Sequence, residues 1–167
     1  MEILLRKVQQ SEETLVFSFL TLAARMPEGG EPIQKALVDP FLRKYWIDWG
    51  RHGDIGIVAE DSSTGMAVSC AWVRLFTREQ AGTCYFGERI PELAIGVVPD
   101  FRGSGIGTKT LSRLIEEVRS QFPGICLSVR NDNPAVRLYE RHLFKKVAGS
   151  ETTNRVGTES YNMYLEL

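Results

Sequence analysis

Glu92-Leu-Ala-Ile-Gly-Val-Val-Pro-Asp-Phe-Arg-Gly-Ser-Gly-Ile-Gly107 is the stretch whose reading decides the fold. Its first half, Leu93 to Val98, is a short apolar run closed by a proline, which reads as a buried strand. Its second half, Arg102-Gly103-Ser104-Gly105-Ile106-Gly107, is a glycine-punctuated turn that opens a long helix. That helix is read from Leu111, Leu114, Ile115, Val118 and Phe122, which fall on one face. A glycine-rich loop leading into a helix presents backbone N–H groups and the positive end of the helix dipole. It therefore suits a phosphate without needing any lysine. Two common phosphate motifs do not fit. The dinucleotide fingerprint needs a third glycine where Thr108 stands, and the P-loop needs a lysine directly after Gly107. A tight strand-to-helix turn with no ligand stays open at this point.

Working outward, residues 54–60 and 66–76 read as a hairpin joined by the turn-forming Asp61–Gly65. Residues 2–8 make a first strand. A helix follows from an N-cap at Ser11, with Leu15, Phe19, Leu22 and Met26 in helical period, and Pro27, Gly29 and Gly30 end it. A second helix is expected from Asp39 to Trp49, with Leu42, Tyr45, Trp46 and Trp49 on one face. Residues 77–91 carry no clear pattern. Downstream, Ile125–Arg130 is a buried strand, Asn133 and Pro134 start another helix, and residues 144–148 and 160–165 make two last strands. The order β-α-α-β-β-β-α-β-α-β-β is an α/β pattern with one crossover at its centre.

The bulk properties agree with one globular domain over residues 1–167. Hydrophobic residues make up 43% and charged residues 25%, which is enough apolar matter for a core and argues against disorder. A net charge of −1 favours neither nucleic acid nor an anionic membrane as partner. No stretch approaches a membrane span, and the N-terminus does not resemble a secretory signal. Cys70, Cys84 and Cys126 are odd in number and widely spaced. Reduced thiols in a cytoplasmic protein are expected, with no disulfide framework and no metal site. Cys70 and Cys126 sit in apolar strand-like runs and read as core.

A second segment gives the glycine loop its meaning. Leu127-Ser-Val-Arg-Asn-Asp-Asn-Pro-Ala-Val-Arg-Leu-Tyr-Glu140, ending near Phe144, resembles the strand and N-x-x-A-x-x-L-Y-E helix of the GNAT superfamily of N-acetyltransferases. Arg102–Gly107 resembles that superfamily's R/Q-x-x-G-x-G/A pyrophosphate loop. The two segments stand in the family's order and spacing, and the likeness covers roughly residues 54 to 148. It implies a central mixed, mostly antiparallel sheet of about seven strands, splayed between the fourth and fifth and flanked by about four helices. It also implies acetyl-CoA as co-substrate, lying in that gap. Backbone groups of Ile95, Val97 and Val98 would then meet the pantetheine amides. The amides of Arg102, Gly103, Ser104, Gly105, Ile106, Gly107 and Thr108 would hold the pyrophosphate, and Asn133 would contact the coenzyme near its pantetheine arm.

The resemblance further implies direct transfer of an acetyl group to an amine in a ternary complex. Tyr139 stands where the family has its general acid; a phenol with an ordinary pKa of about 10 keeps its proton at neutral pH. The alternative for Tyr139 is a core aromatic in helical register with Ala135, Leu138 and His142. Glu92 stands where one branch of the family has its general base, and the alternative is a solvated acid at a strand end. A second branch, which acetylates ribosomal protein N-termini, has a glutamate where this chain has Ser128. Leu143 replaces a glycine that the family commonly has before the phenylalanine, so the helix is expected to end differently here. His52 and His142 read as surface or structural, and Tyr45, Trp46 and Trp49 as core rather than acceptor pocket. Room near Gly96 would distinguish acetyl from a longer acyl group. A non-catalytic acyl-CoA sensor or interaction module of the same fold is the reading from another class. The acceptor amine is unspecified by any motif, and a homodimer is compatible with the resemblance without a sequence signal for it.

Overall fold

A computed structural model of the chain describes residues 1–167. Eight strands form one mixed sheet in the order β1-β2-β3-β4-β5-β8-β6, with β7 beside β8. Contacts group the chain into two compact units, one of residues 1–74 and 94–118, the other of residues 75–93 and 119–167.

In the first unit, β1 (Ile3–Lys7), β2 (Ile55–Asp61) and β3 (Ala67–Arg74) form an antiparallel meander, with Leu5 opposite Ala59 and Ile57 opposite Ala71. The expected hairpin is present. Asp61 closes its turn by accepting Ser63 N–H at 3.0 Å on Oδ1 and Gly65 N–H at 2.8 Å on its carbonyl, with Gly65 at φ 72°. β3 is buried almost throughout because both faces are covered. Helix α1 (Glu13–Ala23) places Val16, Phe19 and Leu20 against Cys70 and Trp72, and helix α5 (Ile106–Arg119) places Ile106 against Ala59 and Val68. Each large apolar side chain so buried contributes roughly 1.5–3 kcal/mol.

The ends of α1 differ from expectation. Ser11 is not its cap. The helix starts after Glu12, whose carboxylate takes two Arg6 bonds of 2.8 Å and the Gln9 N–H at 2.7 Å, a stronger anchor than a serine hydroxyl. It ends before Pro27, because Arg25 turns left-handed at φ 54° and the Met26 N–H closes back on the Thr21 carbonyl at 3.0 Å.

The helix expected over residues 39–49 is instead two single turns, α2 (Lys35–Val38) and α3 (Pro40–Arg43), followed by irregular chain to Gly50. Pro40 forces Asp39 into extended backbone at ψ 117° and so separates the two turns. Beyond Arg43, the carbonyls of Lys44, Ile47 and Asp48 accept from Arg74 rather than from helix amides.

In the second unit, β5 (Gly124–Arg130) pairs antiparallel with β8 (Glu159–Glu166), which also takes β6 (Lys145–Lys146) and β7 (Thr152–Thr153). The first two residues of β4 (Glu92–Val97) belong here, with Glu92 paired in parallel opposite Cys126 of β5. Helix α4 (Arg78–Ala81), in the unpatterned stretch, is held by a capping box between Thr77 and Gln80. Helix α6 (Val136–Arg141) begins two residues later than the Asn133–Pro134 start, although Asn133 Oδ1 still accepts the Ala135 N–H at 2.9 Å. The sequence reading of seven strands and four helices thus becomes eight and six, the additions being elements of two and four residues.

Candidate active site

The glycine loop lies in the first unit. After β4, Val98 gives its N–H to the Val68 carbonyl at 2.9 Å and accepts Phe101 N–H at 2.9 Å, and the Arg102 N–H goes to the Pro99 carbonyl at 3.1 Å. Both backbone amides are therefore engaged within the chain. Gly103 and Gly105 adopt φ 76° and 85°, where L side chains rarely go, and a Cβ on either would meet nothing within 4 Å. The Ser104 hydroxyl donates to the Phe101 carbonyl. Lys109 N–H to the Gly105 carbonyl, at 3.1 Å, is the bond that opens the helical ladder, so Ile106, Gly107 and Thr108 lie in the first turn of α5. The loop is exposed over residues 102–105 and anchored by buried Ile106, a cradle that fits a phosphate.

Gly96 does not border an acyl pocket on its side-chain face. A Cβ there would stand 2.7 Å from the Phe19 carbonyl oxygen and 3.1 Å from Leu22 Cβ, so the glycine lets α1 approach β4. The aromatic stripe is also accounted for. Trp46 and Trp49 are buried, donating Nε1–H to the Ala36 carbonyl at 2.9 Å and the Gln9 carbonyl at 3.0 Å, and Tyr45 packs at the edge of the same core. Beneath them lies a pair that sequence reasoning missed. Arg74 and Asp54 are buried together, joined at 2.9 and 2.7 Å, with Asp54 also accepting the Gly50 and Arg51 N–H groups. The one signal was a charge closing an otherwise apolar strand. His52 beside it is exposed.

The second unit carries the two candidate proton-transfer groups. Glu92 is only 4% exposed, which removes the solvated strand-end alternative. Tyr139, on α6, is 7% exposed and packs edge-on against Phe144 at 5.9 Å between centroids. Burial pushes its phenol well above the ordinary value, so the neutral form persists. Asn133 is partly exposed with Oδ1 committed to Ala135. Asp132, not an asparagine, stands three residues before Ala135, so the chain departs from the N-x-x-A spacing, and the Asn133 contact with Ala135 is a local structural one. Ser128 is exposed on β5 opposite Asn162. His142 Nδ1 is bonded to the Leu138 carbonyl at 2.8 Å, a structural contact.

The end of α6 corrects another expectation. Leu143 does not redirect the helix; it adopts φ 68°, and the Phe144 N–H returns to the Tyr139 carbonyl at 3.1 Å. All three cysteines are buried. Cys84 and Cys126 bring their sulfurs to 3.3 Å, and burial pushes the Cys70 thiol up, as expected of core thiols.

Residues 52–146 match the Acetyltransferase (GNAT) domain family. A search of curated protein sequences finds no match. Similar solved structures include a ribosomal-protein-alanine N-acetyltransferase from Brucella melitensis, with 21% identity, TM-score 0.70 and coverage of 98% of this chain and 99% of that one. They include yncA from Salmonella typhimurium with its cofactor acetyl-CoA, with 17% identity, TM-score 0.66 and coverage of 100% and 95%. A spermidine N-acetyltransferase SpeG chimera from Vibrio cholerae and hSSAT has 16% identity, TM-score 0.66 and coverage of 99% and 96%. At these identities the structures share the fold alone, whereas the family match spans more than half of the 167 residues. On that match, carried by the strand, glycine loop and α6 signature together, the chain belongs to the GNAT acetyltransferase domain family.

Proposed function

We propose that the protein is an N-acetyltransferase that moves the acetyl group of acetyl-CoA directly to an amine. The observation that carries this is the loop of Gly103 and Gly105, held open at left-handed backbone angles at the start of α5. That cradle fits the pyrophosphate of the coenzyme, with the loop amides as donors and Ile95 and Val97 offering strand groups to the pantetheine. Acetyl-CoA supplies the activated acetyl thioester. Glu92, buried at the start of β4, accepts the proton that the amine loses as its nitrogen bonds the acetyl carbon. Tyr139 gives its phenolic proton to the sulfur as the C–S bond breaks. Its burial favours the protonated form, so it stays an acid throughout the neutral range. The reaction calls on no metal, and a cytoplasmic setting is proposed for its three thiols, all free in the structure.

The test is free-thiol release from acetyl-CoA in the presence of a panel of primary amines, with Tyr139→Phe as the comparison. Wild type should release thiol with at least one amine. The variant should lose about 10²–10⁴-fold in kcat with nearly unchanged coenzyme affinity. Coenzyme binding without thiol release from any amine would make the protein an acyl-CoA-binding module instead.

A further inference from the structure

Arg102, the first residue of the glycine loop, does not extend its side chain into solvent. Its Nε donates to the Val97 carbonyl at 3.2 Å, and its Nη1 donates to Oε1 of Glu28. Glu28 belongs to Pro27-Glu-Gly-Gly30, the exposed turn after α1, which is held by Gly29 N–H to the Arg25 carbonyl and Gly30 N–H to the Pro27 carbonyl. Burial raises the Glu28 carboxyl, but the Arg102 bond, its own backbone N–H and the charges of Arg102 and Arg25 outweigh this and hold it below its ordinary value. Glu28 is therefore an anion at neutral pH, placed beside a loop built to favour anions.

Each of these contacts occupies a group that the coenzyme would use. The Val97 carbonyl is one of the two strand positions left for the pantetheine amides. The guanidinium that Glu28 holds is the one positive side chain at the head of the pyrophosphate loop. A carboxylate and a phosphate compete for the same planar donor fork. Both side chains are partly exposed, at 42% and 29%, so the pair can exchange partners readily.

We propose that the Arg102 side chain is a latch over the coenzyme loop, with Glu28 as the positioning residue that holds it closed until a phosphate of the coenzyme displaces it. The inference rests on the coenzyme reading above. A protein held mostly closed binds more weakly than its open form by the open fraction, so loosening the latch tightens binding.

Titration of the full chain with CoA tests this in wild type, Glu28→Gln, Arg102→Ala and the double variant. Glu28→Gln should lower the Kd for CoA by about two- to five-fold, the scale of an exposed ion pair. In the Arg102→Ala background the same change should have no effect, because there is no latch left to release. A plain loss of negative charge would instead tighten binding equally in both backgrounds, and that result overturns the latch. So does a Glu28→Gln Kd equal to or weaker than wild type, with the coenzyme reading left standing. If wild type binds no CoA, both readings fall. Hydrogen exchange gives an independent readout: CoA should speed exchange of the amides in residues 28–31 of wild type, and unchanged exchange there contradicts release of Glu28.

Discussion

Leucine at 143 occupies a left-handed backbone position that glycine adopts without steric cost. Its side chain is 73% exposed and so gains little from burial. The position nonetheless fixes the return of the chain from Tyr139 to Phe144, which packs against the tyrosine ring. Leu143→Gly should therefore stabilise the fold by about 0.5–1 kcal/mol, a rise of about 1–4 °C in Tm for a domain of this size. A fall in Tm would mean that the left-handed turn is absent. At this scale the sequence was partly legible. Tyr139, Glu92 and the loop glycines stand out in the sequence because their signatures are local. Glu28 was not, because its contact with Arg102 joins residues 74 apart and no local pattern announces it.

Among the elements, the β2–β3 hairpin, α5 and β5 could be read in advance because periodicity and turn chemistry operate within a dozen residues. The segment 35–50 could not. Its aromatic spacing is helical, yet Arg74, from a strand distant in sequence, takes the carbonyls that a helix would have used. The guanidinium also lies 5.6 Å from the Trp49 ring, and Asp54 balances its charge with both carboxylate oxygens. That arrangement predicts a large penalty for breaking the pair on one side only. Asp54→Ala leaves a buried arginine uncompensated and should cost about 3–5 kcal/mol in denaturant unfolding. A loss below about 1 kcal/mol would show that water reaches the site and that the loop is not pinned by it.

Across the whole molecule, acid stability should be governed by carboxylates tied to arginine. Arg6 bonds both Glu12 and Glu60, and its side-chain bonds hold the Glu12 carboxyl below its reference value of 4.5 against the opposing effect of burial. A carboxyl depressed on folding contributes stability that is complete above its unfolded value and is lost as pH falls through the folded one. Thermal melts should thus be level down to about pH 5 and fall below about 4.5, more steeply for wild type than for Glu12→Gln. Equal slopes would remove Glu12 from the acid response. The fold, read from two glycine- and tyrosine-bearing signatures, and the family match agree on the same assignment.

Calorimetric titration of the purified protein with acetyl-CoA, with NADH and ATP as controls, tests the central claim most directly. Saturable binding of acetyl-CoA at one site per chain, with neither control binding comparably, is the predicted result. Absence of acetyl-CoA binding would contradict it and reduce the glycine loop to a bare structural turn.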